Sequence, residues 1–275
     1  MISRRTGIWI LLVFTAAVAV AAMAYPRTAQ PASYHDFADK RGWGGIPNAA
    51  DVLSNLAFAG AGVWGLLFLS TEAGERQFAD ARERWMYGAV FLGLLLTAFG
   101  SSYYHLAPDN ARLVWDRLPM TLAFMGLVAA MVGERVSVAT GWYLLPLLVA
   151  IGAGSVVWWW RTEAAGAGDL RFYAAVQLYA VLVLPVLLLL PARYTRSGDF
   201  VVVFGFYLLA KVFETADRQI FSLTGHAVSG HTLKHLSAGA AGFWILRMLK
   251  KRALINNTSD PQRMSGGSPP LQAGA

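Results

Sequence analysis

Cysteine is absent from the 275 residues, which removes disulfides, thiolate metal ligands, iron–sulfur clusters and a cysteine nucleophile. Charge is scarce too. Asp, Glu, Lys and Arg make up 14% of the chain against 56% hydrophobic residues, a balance foreign to a soluble domain and ordinary for a polytopic membrane protein. A transition metal bound here has only His, Asp and Glu to hold it. The formal charge of +7 is spread over short loops and helix ends, where membrane proteins carry Lys and Arg, so it reads as topology and no nucleic-acid partner is expected.

What the chain does have is long apolar runs. Gly7 to Ala24 follows Arg4 and Arg5 and ends in Ala22-Met23-Ala24 before Pro26, which reads as a signal peptide or signal anchor over residues 1–25. A polar segment occupies 26–48. Seven further stretches, at 49–70, 85–106, 112–133, 140–160, 170–190, 199–221 and 228–249, are each long enough to cross about 30 Å of hydrocarbon. The expected fold is therefore all-α: a polytopic membrane protein with a seven-transmembrane-helix bundle over 49–250, preceded by an extra N-terminal apolar helix. Short polar loops favour antiparallel neighbours, and no internal repeat stands out. The tail, 251–275, is rich in Ser, Gly, Pro and Gln and is expected to be disordered. If the first run starts in the cytoplasm, thirteen Lys and Arg fall on that side and eight on the other, Arg247 to Arg252 forming a dense cytoplasmic cluster. Residues 26–48 then lie outside and the C-terminus inside, a topology compatible with a bacterial inner membrane.

Three histidines fall at matching depth in this arrangement. His105 ends the second span, and His231 and His235, in GHTLKH, open the seventh, all toward the outer side. Ser101 and His105 are four residues apart, as are His231 and His235, so on a helix each pair shares one face, one turn apart. Imidazoles are costly in hydrocarbon and good zinc ligands, and three of them leave a tetrahedral zinc one open position, the arrangement of a hydrolytic site. Asp116 follows at the start of the third span. Tyr103, Tyr104 and Trp115 read as interfacial anchors, and Ser101 as a hydroxyl bonded to its own helix backbone. Lys211, Glu214 and Asp217 share a broad face of the sixth span and read as a structural charge network, Lys211 paired with Glu214 and Asp217 approaching the metal region.

Together, Ser101-x-x-x-His105 closing the second span, Asp116-Arg117-Leu118-Pro119-Met120 opening the third and His231-x-x-x-His235 in the seventh resemble the alkaline ceramidase family, and more distantly the adiponectin-receptor-like proteins. The resemblance runs from about Asn48 to Lys250. It implies a zinc-dependent intramembrane hydrolase that cleaves the amide of ceramide or a related N-acyl lipid to a fatty acid and a long-chain amine. By position it makes His105, His231 and His235 the zinc ligands, Asp116 the residue that handles the proton of the attacking water, and Ser101 a support for the metal site and the oxyanion. Two departures stand out. Arg117 replaces an acidic residue of the family, and Asp36, Asp39, Trp43, Asn48 and Asp51 match its calcium-binding segment only in part. The runner-up is a receptor-like or signalling protein with a structural zinc site; a transporter lined by the sixth-span charges is a third reading. Acyl-chain pockets are built from ordinary apolar residues, so the particular lipid is left open.

Overall fold

A computed structural model describes residues 3–255, and these form helices and connecting turns with no strand among them. In chain order the helices are α1 (Arg4–Ala24), α2 (Ala49–Ser54), α3 (Leu56–Leu69), α4 (Glu72–Glu75), α5 (Ala81–Leu106), α6 (Asn110–Arg135), α7 (Val138–Ala164), α8 (Arg171–Leu188), α9 (Asp199–Thr215), α10 (Asp217–Leu223) and α11 (Gly230–Lys251). Among the described residues six segments are long and apolar enough to cross a membrane, α2 and α3 together counting as one, which is the character of a multi-pass helical membrane protein. Helix starts follow the capping rules. Asp109 accepts from Arg112 N at 2.7 Å before α6, and Ser229 accepts from Thr232 N at 3.0 Å before α11.

Two of the expected continuous spans are broken. The run at 49–70 divides at Asn55, whose Nδ2 donates back to Asp51 O at 2.9 Å and so competes with the helix ladder. The run at 199–221 divides at Ala216 (φ −96°, ψ 22°), where the start of α11 presses into the end of α9. A Cβ on Gly230 would stand 2.2 Å from Phe213 O, so only glycine lets the two helix ends approach this closely.

Packing runs α3 against α5, α5 against α6, α6 against α7, and α11 against both α3 and α9. The largest core cluster, with Met86, Phe91, Met125, Leu187 and Leu249 fully enclosed, lies between these helices. Large apolar side chains such as Trp64, Trp85, Phe99 and Trp115 face outward, an arrangement that suits hydrocarbon and would be unfavourable in water. α1 lies at the periphery along α8, with Phe14 stacked on Tyr179 and Thr15 Oγ1 3.0 Å from Tyr179 Oη.

The contact between α5 and α6 is the closest that bears on function. Pro119 has no N–H to offer Trp115 O four residues earlier, and α5 approaches that carbonyl through Gly100, where a Cβ would stand 1.9 Å from the oxygen. The next residues on the two helices are Ser101 and Asp116.

At the far end of the bundle, buried Arg252 pairs with Glu134, and Tyr87 Oη donates to the same carboxylate at 2.8 Å. Thr195 N donates to Ala253 O at 2.8 Å, so the chain just past α11 is held against the loop before α9. The rest of the expected disordered tail, 256–275, lies outside the described residues.

Candidate metal centre

His105 stands in the last turn of α5, and Asn48 Nδ2 donates to its carbonyl at 2.8 Å, satisfying a group that the helix end leaves free. His231 is the second residue of α11. Its backbone N–H, also orphaned by the helix start, donates to Asp217 Oδ1 at 2.8 Å. His235 lies one turn further on the same face. The three rings form a near-equilateral set, with centroid separations of 4.8, 5.0 and 4.8 Å, and all three side chains are buried.

The ring nitrogens point at a common centre. His105 Nε2 and His231 Nε2 are 3.2 Å apart, and one nitrogen from each ring falls within 4.8 Å of the others. Two ligands at about 2.0–2.1 Å from a tetrahedral ion stand roughly 3.3–3.4 Å apart, so the His105–His231 pair is close to the spacing of a shared ion. The support behind His235 is specific. Ser54 Oγ donates to Asp51 O at 3.0 Å and can therefore accept from His235 Nδ1, 2.8 Å away, leaving Nε2 unprotonated and free to coordinate. His105 Nδ1 has no partner among the described residues; its ring is held instead by Phe37 and Tyr104, at centroid distances of 4.7 and 4.9 Å. Among the described residues no other group of His, Asp and Glu comes close enough to hold an ion.

Below the rings opens a cavity with about 1360 Å³ of empty space, counting its open mouth. Ser101, Asp116, Lys211, Glu214, Lys234 and His235 are among its polar lining, and mostly apolar side chains of α5, α6, α8, α9 and α11 line the remainder. Ser101 neighbours the Asp116 carboxyl, so its hydroxyl faces the site; no bond from it to its own helix backbone is found. Lys211 and Glu214 pair as expected, but Glu214 also accepts from Lys234 at 3.0 Å, and Lys234 Nζ lies 3.4 Å from His231 Nε2. Sequence reasoning passed over Lys234. The signal was present: Lys211 and Lys234 are the two basic residues that the topology count leaves inside spans, and an intramembrane lysine calls for a partner or a role.

The segment between α1 and α2 is laced across this end of the bundle. Phe37 packs on His231 as well as His105, with centroids 4.3 Å apart. Ala38 N donates to Asp217 Oδ2 at 2.9 Å, and His35 bonds Tyr104 Oη at 2.8 Å and Asn110 Oδ1 at 2.9 Å. Tyr104 is therefore a buried strut and not an interfacial anchor, whereas Tyr103 and Trp115 are exposed as expected. Arg117 is buried, with its guanidinium against Trp159 and Tyr173 at 4.1 and 4.4 Å and Nη2 donating to Gln30 Oε1 at 2.6 Å. The basic departure at this position thus ties down the same segment.

Most residues of the calcium expectation have contacts of their own, although Asp51 Oδ2 is without a partner among the described residues. Asp36 pairs with Lys40 and with Arg218, and Lys40 leads in holding its pKa below the usual 3.8. Asp39 is gripped by the Arg41 guanidinium, which likewise lowers its pKa. Trp43 is exposed in a tight turn, Asn48 caps α5, and Asp51 accepts from Thr232 Oγ1 at 2.8 Å. No protein-family model matches the chain, and no curated protein matches it.

Proposed function

We propose that the protein is a zinc-dependent hydrolase of the lipid bilayer, cleaving the amide of ceramide or a related N-acyl lipid. The observation that carries this reading is the buried trio of His105, His231 and His235, of which His235 lines a largely apolar cavity together with Ser101 and Asp116. A trio of neutral imidazoles with no fourth ligand among the described residues matches a catalytic zinc site better than a structural one. When bound, zinc supplies Lewis-acid polarisation of the acyl carbonyl and makes water a stronger acid.

The chain's own residues divide the remaining work. Asp116 takes a proton from the attacking water and gives it to the leaving nitrogen as the C–N bond breaks and the new C–O bond forms; the products are a fatty acid and a long-chain amine. Ser101 donates to the acyl oxygen as negative charge gathers there. Apolar walls hold the acyl chain, and Phe37 with its segment restricts water above the rings.

The same reading takes α11, although it is not among the six long apolar segments, and α9 with α10 as the last two of seven spans. α1 is then an additional anchor, as its packing along α8 favours. The metal end faces outward and the Arg247 to Arg252 cluster the cytoplasm, in keeping with a bacterial inner membrane.

A lipid panel scored by mass spectrometry tests this. Wild-type protein should release fatty acid from at least one N-acyl lipid. Asp116→Asn should keep zinc while losing about 10²–10⁴-fold in rate, and His231→Ala should lose both. Undiminished release from metal-free protein would contradict it.

A further inference from the structure

Lys234 is more than the partner of Glu214. Glu214 already has Lys211, and a buried carboxylate needs only one cation, so the second lysine brings into the bundle a charge that this ion pair does not require. Its position is informative. Lys211 is half exposed, with 51% of its side chain accessible, whereas Lys234 is turned inward at 17%. Its Nζ sits 3.4 Å from the ring nitrogen of His231 that faces the other two imidazoles, on the wall that also carries Ser101 and Asp116. Glu214 Oε1, 3.0 Å away, braces the ammonium in place. Asp116 can only accept when ionised and Ser101 is a neutral donor; of the two lysines lining the cavity, Lys234 is the one placed beside the imidazoles.

We propose that Lys234 Nζ is a catalytic residue that binds the acyl oxygen of the substrate and, after cleavage, the carboxylate of the fatty acid. This rests on the amide-hydrolase reading, because the group nearest the three imidazoles in an N-acyl lipid is its acyl carbonyl. A charge-assisted hydrogen bond in a low-dielectric cavity separates a fatty acid from the corresponding alcohol by about ten- to a hundredfold in affinity.

The test needs no turnover. Binding of palmitate and of hexadecanol is measured to metal-free protein in lipid nanodiscs. Wild type should prefer palmitate at least tenfold. Lys234→Met, which leaves Glu214 paired with Lys211, should lose that preference while its zinc content after reloading stays unchanged, and Lys234→Arg should recover part of it. Glu214→Gln keeps the ammonium but loosens its brace, and should lower the preference several-fold even where Lys234→Met does not fold. A preference that survives Lys234→Met, or its absence from wild type, would overturn the proposal. If the preference depends on Lys234 while no lipid amide is cleaved, the carboxylate site stands and the hydrolase reading falls.

Discussion

Each imidazole of the trio is held by a different means, and this sets how each should respond to change. His235 is oriented by a hydrogen bond through Ser54 Oγ to Asp51 O, and Asp51 Oδ1 is in turn held by Thr232. Ser54→Ala should therefore leave all three ligands in place yet weaken zinc about 10–100-fold, as loss of such outer support does elsewhere. Competition against a chelator of known affinity measures this, and unchanged affinity would show that the ring is positioned by packing alone. The histidine pairs were legible from their spacing, because residues four apart on a helix must share a face. Tyr104 was not. Tyr103 and Tyr104 are adjacent in sequence at the same helix end, and only the covering segment, with His35 reaching Tyr104 Oη, makes one a buried strut while the other faces outward. That Lys234 lies inside a span was legible, but its place beside His231 was not, because which wall of the bundle a helix face meets depends on its neighbours.

At the scale of elements, the long hydropathic runs gave the membrane helices, but both interruptions arise from contacts distant in sequence or from local side-chain bonds. Gly230 meeting Phe213 O divides the α9–α10 run, and Asn55 turning back on Asp51 divides α2 from α3. The segment between α1 and α2 carries no periodicity, so nothing in its pattern announced that it crosses over the rings. Its hold on the bundle is partly ionic. Asp36 bridges Lys40 and Arg218, Asp39 is gripped by Arg41, and both carboxyls titrate below their ordinary value of 3.8. Groups with depressed pKa values stabilise the folded arrangement in full above the unfolded pKa and lose that contribution as pH falls through the lower folded value. Protection of residues 26–48 from protease should thus be level from about pH 5 to 8 and fall only below about pH 4. Asp36→Asn should increase cleavage at neutral pH. A loss centred near pH 6 would point to a histidine in place of these carboxylates.

For the whole molecule, the histidine trio brings the end of α5 against the start of α11, which are far apart in sequence. Three nitrogens from two distant segments gather at one point, a cavity opens beneath them, and ionic contacts hold the opposite end. The general architecture followed from composition. The cavity did not, because its walls use the same Leu, Val, Ala and Phe as the core beside them. The most direct measurement is zinc content and X-ray absorption at the zinc edge on purified protein, paired with thermal unfolding before and after chelation. One zinc per chain with three histidine nitrogens at about 2.0–2.1 Å is predicted, absent from His105→Ala and from His231→Ala, with chelation lowering the unfolding temperature. Full zinc occupancy in both variants, or wild-type protein that takes up no zinc, would contradict the proposed centre.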